Sequence, residues 1–207
     1  MINTPPNPSE PSTLRHLDIG CGSEPHNPYR KPQLFGIDIR RGCIEDPGLQ
    51  FAKANLALEP IPHPDNHFGS VSAFDFIEHV PRILPTRDGT DTRFPFVELM
   101  NEVWRVLRPG GRFYALTPAY PRVHAFRDPT HVNIITTQTH HYFVGNPPGA
   151  RMYGFNGRFT TIRSGWAVSQ DNQHSEPLSF RQKVRLIQHT LKGQLSHYLW
   201  ELEAVKS

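Results

Sequence analysis

Short apolar runs separated by turn-forming residues set the rhythm of this chain. LRHLDIG (14–20) reads as a buried strand that runs into a glycine turn, and LFGIDI (34–39) as a second strand that ends in an acid. LQFAKANL (49–56) predicts a third, weaker strand, SVSAFDF (70–76) a fourth and RFYALTP (112–118) a fifth. Between the first two runs stand Pro25, Pro28 and Pro32. No long helix passes through prolines at that spacing, so the first crossover is a short helix or a loop. EPIPHPDNHFG (59–69) is turn-rich, and IEHVPRIL predicts a short helix broken at Pro81. FPFVELMNEVWRVL (94–107) has a different period. Phe96, Met100, Val103 and Leu107 recur at spacings of four, three and four, the stripe of an amphipathic helix. Pro95 suits its first turn, Arg105 and Arg108 its negative end, and Pro109-Gly110-Gly111 its termination.

Beyond residue 118 a polar, histidine-rich stretch extends to about residue 148. RMYGFNGRFTTIRSGWAV (151–168) and LSHYLWELEAVK (195–206) predict two late strands able to pair antiparallel, with residues 171–183 as a loop between them. The order implies an α/β fold: a Rossmann-like, mostly parallel sheet with an antiparallel C-terminal strand and a short or missing first crossover helix. Residues 1–12, with Pro5, Pro6, Pro8 and Pro11, predict an extended tail, and 13–207 a single domain. Ligands of such sheets sit beyond the carboxyl ends of the strands, which directs attention to the residues just after each one.

Composition narrows the classes. The 207 residues are 37% hydrophobic and 11% aromatic, enough for one core. No apolar run approaches the length of a membrane span, and the first residues lack the basic and apolar regions of a secretory signal. Two cysteines, Cys21 and Cys43, are too few for a disulfide scaffold, and a reducing cytoplasm is the expected location. A net charge of +3 without a dense basic run argues against a nucleic-acid partner.

Two motifs carry the chemistry. Gly20 and Gly22, either side of Cys21, let a ligand approach the backbone at the end of the first strand. A dinucleotide turn would need a third glycine, which Gly20-Cys21-Gly22-Ser23-Glu24-Pro25 lacks, so a nucleoside fits better than a nicotinamide dinucleotide. Asp38, 18 residues after Gly20, is placed to accept hydrogen bonds from both ribose hydroxyls. The alternative reading of each motif alone is a plain tight turn and a strand-end cap.

The blocks LDIGCG (17–22), GIDIR (36–40), ANL (54–56), PHPDNHFGSVSAFDFIEHV (62–80) and LRPGGRFYALTP (107–118) together resemble the class I methyltransferases that use S-adenosylmethionine. The resemblance covers about residues 14–118. It implies that Asp18 and the backbone of Gly20, Cys21 and Gly22 hold the methionine end of S-adenosylmethionine, and that Asp38 binds the ribose with Ile39 against the adenine. It further implies that Asn55 meets the adenine edge, that Leu56 covers the ring, and that Phe74 and Asp75 lie beside the methionine portion. The product would be S-adenosylhomocysteine. The family's common third glycine is absent here, and the prolines shorten the helix after the first strand, which leaves residues 23–33 open as cofactor contacts.

Methyl transfer of this kind is an in-line displacement that needs alignment and, for some nucleophiles, a base. His79 follows the fourth strand, and His131 stands three residues after Asp128 in Asp128-Pro129-Thr130-His131, a block resembling one in a subset of small bacterial methyltransferases. His131 oriented by Asp128 is one expected base and His79 the other; the alternative is that Asp128 and Thr130 only hold the loop backbone. Phe74, Tyr120 and Phe126 are candidates to steady the sulfonium by placement. His124, His140 and His141 match no strong zinc spacing, and no metal is expected. The leading reading is methyl transfer to a small-molecule acceptor at oxygen, with residues 118–158 as acceptor wall or lid. The competing readings are an RNA- or protein-modifying methyltransferase, an NAD-dependent oxidoreductase and a non-catalytic cofactor-binding subunit. Oligomeric state is left open.

Overall fold

A computed structural model describes residues 11–40 and 48–206. Cys43 and most of the expected tail lie outside them. Seven strands form one sheet in the order β3-β2-β1-β4-β7-β9-β8. They are β1 (Arg15–Ile19), β2 (Gln33–Asp38), β3 (Gln50–Lys53), β4 (Phe68–Phe74), β7 (Leu107–Pro118), β8 (Phe159–Ala167) and β9 (His197–Ala204). A separate two-residue pair, β5 (Leu84–Pro85) and β6 (Thr92–Arg93), precedes helix α1 (Pro95–Val106), and helix α2 (Phe180–Leu191) precedes β9. The first five sheet strands run parallel, and β9 is antiparallel to both β7 and β8. This is the mostly parallel α/β sheet expected. Among the described residues no helix joins β1 to β2, where Pro25, Pro28 and Pro32 stand, or β3 to β4, where Pro60, Pro62 and Pro64 stand.

Alternation along the strands builds two unlike faces. Leu17, Ile19, Phe35, Ile37, Val71, Ala73, Phe113, Ala115, Trp200 and Leu202 share one face through the strand registers and belong to the main core. α1 buries Phe96, Leu99, Met100, Val103 and Val106 in that core. Each fully buried side chain of this kind contributes about 1.5–3 kcal/mol. Segment 119–158 completes the layer through Ile135, Phe143, Ala150 and Phe155, in irregular chain with one-turn 3-10 helices at Thr139–Phe143 and Gly149–Tyr153. The opposite face carries His16, Asp18, Ser70, Ser72, Tyr114 and Glu201.

Four expectations are corrected. The helix ends at Val106, and Leu107 is already extended (φ −71°, ψ 138°), so β7 starts there and bulges out before pairing resumes at Arg112. The run after residue 150 is a strand only from Phe159, because Gly154, at φ 88°, ends a 3-10 turn first. IEHVPRIL supplies one 3-10 turn, Ile77–His79. Residues 171–183 are not all loop, since α2 begins at Phe180. Its N-cap Ser179 accepts from the Gln182 N–H and the Gln182 side chain accepts from the Ser179 N–H, a reciprocal cap that offsets two orphan donors. No helix among the described residues is long and apolar enough to cross a membrane.

Candidate active site

The carboxyl ends of β1, β2 and β3 gather most of the expected cofactor residues. After Ile19 the chain turns at once through Gly20 (φ 71°) and Gly22 (φ 53°), in the left-handed region that favours glycine. A Cβ on Gly20 would stand 2.3 Å from the Phe76 ring, so no other residue fits beneath it. The space beside Gly22 is open. The Asp38 carboxylate accepts the Gly22 N–H at 3.1 Å and the Arg40 N–H at 2.9 Å, which ties the ends of β1 and β2 together and leaves lone pairs for further donors. Ile39 is 53% exposed beside it. Asn55 caps the turn after β3, its Oδ1 accepting the Ala57 N–H at 3.1 Å, and Leu56 is buried. Cys21 is buried, and burial, then Asp18 and Asp38, push its thiol up to about 12; it stays neutral and packs where Gly36 lacks a side chain.

Asp18 lies behind this rim. Its Oδ1 accepts Ser72 Oγ–H at 2.5 Å and its Oδ2 accepts the His26 N–H at 2.7 Å. Burial raises its pKa, opposed by His26 and Ser72. Within the chain its carboxylate holds the 20–26 turn. Phe74 is buried between His26, stacked at 4.0 Å, and Tyr114 at 5.7 Å. Asp75, at φ 45°, reaches sideways so that its Oδ1 lies 2.8 Å from His197 Nε2. Tyr120 and Phe126 are exposed and meet edge to face at 6.3 Å.

The three expected base residues come together at the end of β4. The 3-10 turn places Glu78 and His79, and the 128–131 turn folds onto them. Asp128 Oδ1 accepts both the Thr130 N–H (2.8 Å) and Oγ–H (2.7 Å), which holds its carboxyl below the usual range. Thr130 Oγ1 lies 3.0 Å from His79 Nδ1. His131 packs edge to face on His79 at 4.8 Å, with its Nε2 4.0 Å from Asp128 Oδ2 and 4.0 Å from Glu78 Oε1. The expected Asp128–His131 pair is thus an approach, not a hydrogen bond.

Glu78, the neighbour of His79, is not among the residues the sequence singles out. It is buried, its Oε2 accepts from Thr117 Oγ at 2.8 Å, and its Oε1 has no hydrogen-bond partner. Burial pushes its carboxyl up to about 8. Glu78, His79 and His131 each offer a ligand atom within 4.8 Å of the others. His131 Nδ1 is buried without an acceptor, whereas the second nitrogen of a ligating histidine nearly always has one. His140 is buried with neither nitrogen paired, and burial, then His141, lowers it to about 4, which keeps it neutral against Tyr198 and Trp200.

A cavity of about 400 Å³ opens on the α1 side, lined among others by Arg82, Phe96, Thr136, Tyr142 and Tyr153. It shares no residue with the rim of β1, β2 and β3. Arg82 joins it to the histidine turn, since its guanidinium donates to Asn133 Oδ1 at 2.6 Å and to the Ile134 carbonyl.

Residues 17–115 match the family model described as a methyltransferase domain. No curated protein matches the chain. Among solved structures, the YcgJ protein of Bacillus subtilis is similar at 16% identity and a TM-score of 0.53, with 93% of this chain and 92% of that one covered. An S-adenosylmethionine-dependent methyltransferase from Mesorhizobium loti is similar at 14% identity and 0.55, with 91% and 90% covered. A complex of the Haloferax volcanii Trm112 methyltransferase activator with a methyltransferase gives 12% identity and 0.55, with 97% and 85% covered. These likenesses are of fold. The matched methyltransferase domain spans just under half of the chain, and its glycine turn, β2 acid and β3 turn stand at one sheet edge.

Proposed function

We propose that the protein is an S-adenosylmethionine-dependent methyltransferase that acts on a small-molecule acceptor at oxygen, with His131 as the general base. The observation that carries this reading is His131 itself: a side chain only 9% exposed, its Nε2 set between the carboxyl groups of Glu78 and Asp128. Residues fit for the cofactor are the Gly20–Gly22 backbone, Asp38, Ile39, Asn55 and Leu56, with the open space beside Gly22 as the point of approach. Bound S-adenosylmethionine supplies a methyl group on positive sulfur, so alignment and proton removal are what remain for the chain.

His131 takes the acceptor's hydroxyl proton. Asp128, held ionised by Thr130, stands 4.0 Å away to favour the imidazolium that results. Glu78, protonated at neutral pH by its burial, adds no second charge until higher pH. His79 braces the ring from the side and is held by Thr130. The neighbouring cavity, mostly aromatic and aliphatic with Arg82 as its charged group, supports a largely apolar acceptor, and segment 118–158 supplies much of its wall.

Calorimetric titration and release of S-adenosylhomocysteine against a panel of small alcohols, phenols and carboxylic acids test the reading. His131→Ala should keep cofactor affinity and lose about 10²–10⁴-fold in turnover. Asp38→Ala should lose cofactor affinity itself. Unchanged turnover in His131→Ala removes it from the mechanism.

A further inference from the structure

α2 carries a feature that methyl transfer does not require. Phe180, Val184, Ile187 and Leu191 recur at spacings of four, three and four, within about 60° of the helix circumference. In a core-facing helix that stripe would be buried. Here Phe180 is 81%, Ile187 59% and Leu191 83% exposed, and α2 has no buried residue. The positions half-covered by the body are Gln182, Leu186 and His189, on the far side of the helix, with Arg185 fastened to Asp171 at 2.9 Å. The stripe therefore points away from the molecule.

Charge says what it meets. Arg181, Lys183, Arg185 and Lys192 lie on or just after the helix, and no carboxylate occurs from 180 to 194. At 100° per residue Lys183 falls on one flank of the stripe and Arg181 and Lys192 on the other. An apolar stripe between cationic flanks suits the boundary of a bilayer that bears anionic headgroups, where long basic side chains lie alongside phosphates. Pairing with a second α2 would bring two such cationic sets together. A nucleic acid would leave Phe180 and Leu191 in water.

The surroundings extend the surface. Arg122 donates to the Gly193 carbonyl at 3.1 Å and joins α2 to residues 120–126, where Tyr120, Val123 and Phe126 are also exposed. Ala119, at the end of β7, donates to the Ser196 carbonyl, so this surface stands at the carboxyl edge of the sheet, the edge that carries the site. We infer that α2 docks the protein on an anionic membrane surface and sets its acceptor edge toward the lipid.

Cosedimentation with vesicles tests this without any methyl acceptor. The full chain should bind vesicles of phosphatidylcholine mixed with phosphatidylglycerol and bind phosphatidylcholine alone far more weakly. Phe180→Glu with Leu191→Glu should abolish binding while cofactor titration and thermal midpoint hold, because both side chains are exposed. Arg181→Gln with Lys183→Gln should weaken binding about 30-fold at low salt. No binding of the full chain to the mixed vesicles overturns the inference, as does undiminished binding of the double glutamate variant. So does a concentration-dependent dimer, seen by sedimentation velocity, that the glutamates abolish.

Discussion

The two faces of the sheet solve one problem by different means. On the α1 face the strands present Leu17, Val71, Phe113 and Trp200, and a helix and an aromatic-rich segment lie on them. On the other face β1 and β4 present His16, Asp18, Ser70 and Ser72, and the cover is the helix-free 20–32 turn with residues 172–175. A chain interrupted by three prolines makes no helical stripe for an apolar face to meet. The polar face supplies partners instead. Ser72 donates to Asp18, so His16 Nε2–H at 2.8 Å donates to Ser72 Oγ, and His16 Nδ1, also at 2.8 Å, accepts from Ser70. Tyr29 donates to Glu201 at 2.9 Å and Tyr114 to the Asn172 carbonyl at 2.8 Å. The α1 face is held by burial, and the opposite face by a hydrogen-bonded network beside a smaller apolar cluster of Phe74, Tyr114, Leu116, Ala167 and Leu199.

That contrast predicts unequal costs. Trp200→Ala removes the largest fully buried side chain of the α1 face and should cost about 3–5 kcal/mol, read as the shift in urea midpoint at constant slope. Ser72→Ala removes one hydroxyl but leaves Asp18 and His16 each short of a partner inside the protein, and should cost about 1–3 kcal/mol. A loss below about 0.5 kcal/mol for Ser72→Ala, within the range of ordinary surface substitutions, would mean that the polar face holds nothing.

Legibility followed the same division. β1, β2 and β4, the glycine turn, Asp38 and α1 could be read because local period and turn chemistry decided them. Where a contact far along the chain decides, the reading stopped. Glu78 gave no local signal, since Thr117 and His131, which close around it, lie 39 and 53 residues further on. The intrachain partners of Asp18, the Ser72 hydroxyl and the His26 N–H, likewise lie beyond local reading, although its expected place at the end of β1 was legible. α2 is the opposite case: Ser179 with Gln182, and the stripe from Phe180 to Leu191, spell a helix start locally. Reading 171–183 as a loop overlooked a signal that was present.

The smallest expected effect separates the faces by pH. Burial lowers His16 to about 3 from an ordinary 6.5, so between those values the unfolded chain holds a proton the native chain refuses, and stability rises with pH. His63 and His140, each lowered to about 4 by burial, add to that acid limb. Glu78 acts in reverse. Its carboxyl is raised to about 8 from 4.5, so across that window the native chain holds a proton the unfolded chain has lost, and its contribution falls as pH rises. One group sets a slope of at most about 1.4 kcal/mol per pH unit. Three histidines outweigh the raised carboxyls below about 6.5; above it Glu78 lowers stability, together with Asp18, whose carboxyl burial also raises, so stability should peak near there and decline toward pH 8. Glu78→Gln keeps an acceptor for Thr117 without the ionisation. Urea midpoints across pH 5–9 should show the alkaline decline in the parent and a shallower one in the variant. A decline of unchanged slope after the substitution would place its origin elsewhere than the carboxyl group beside His131.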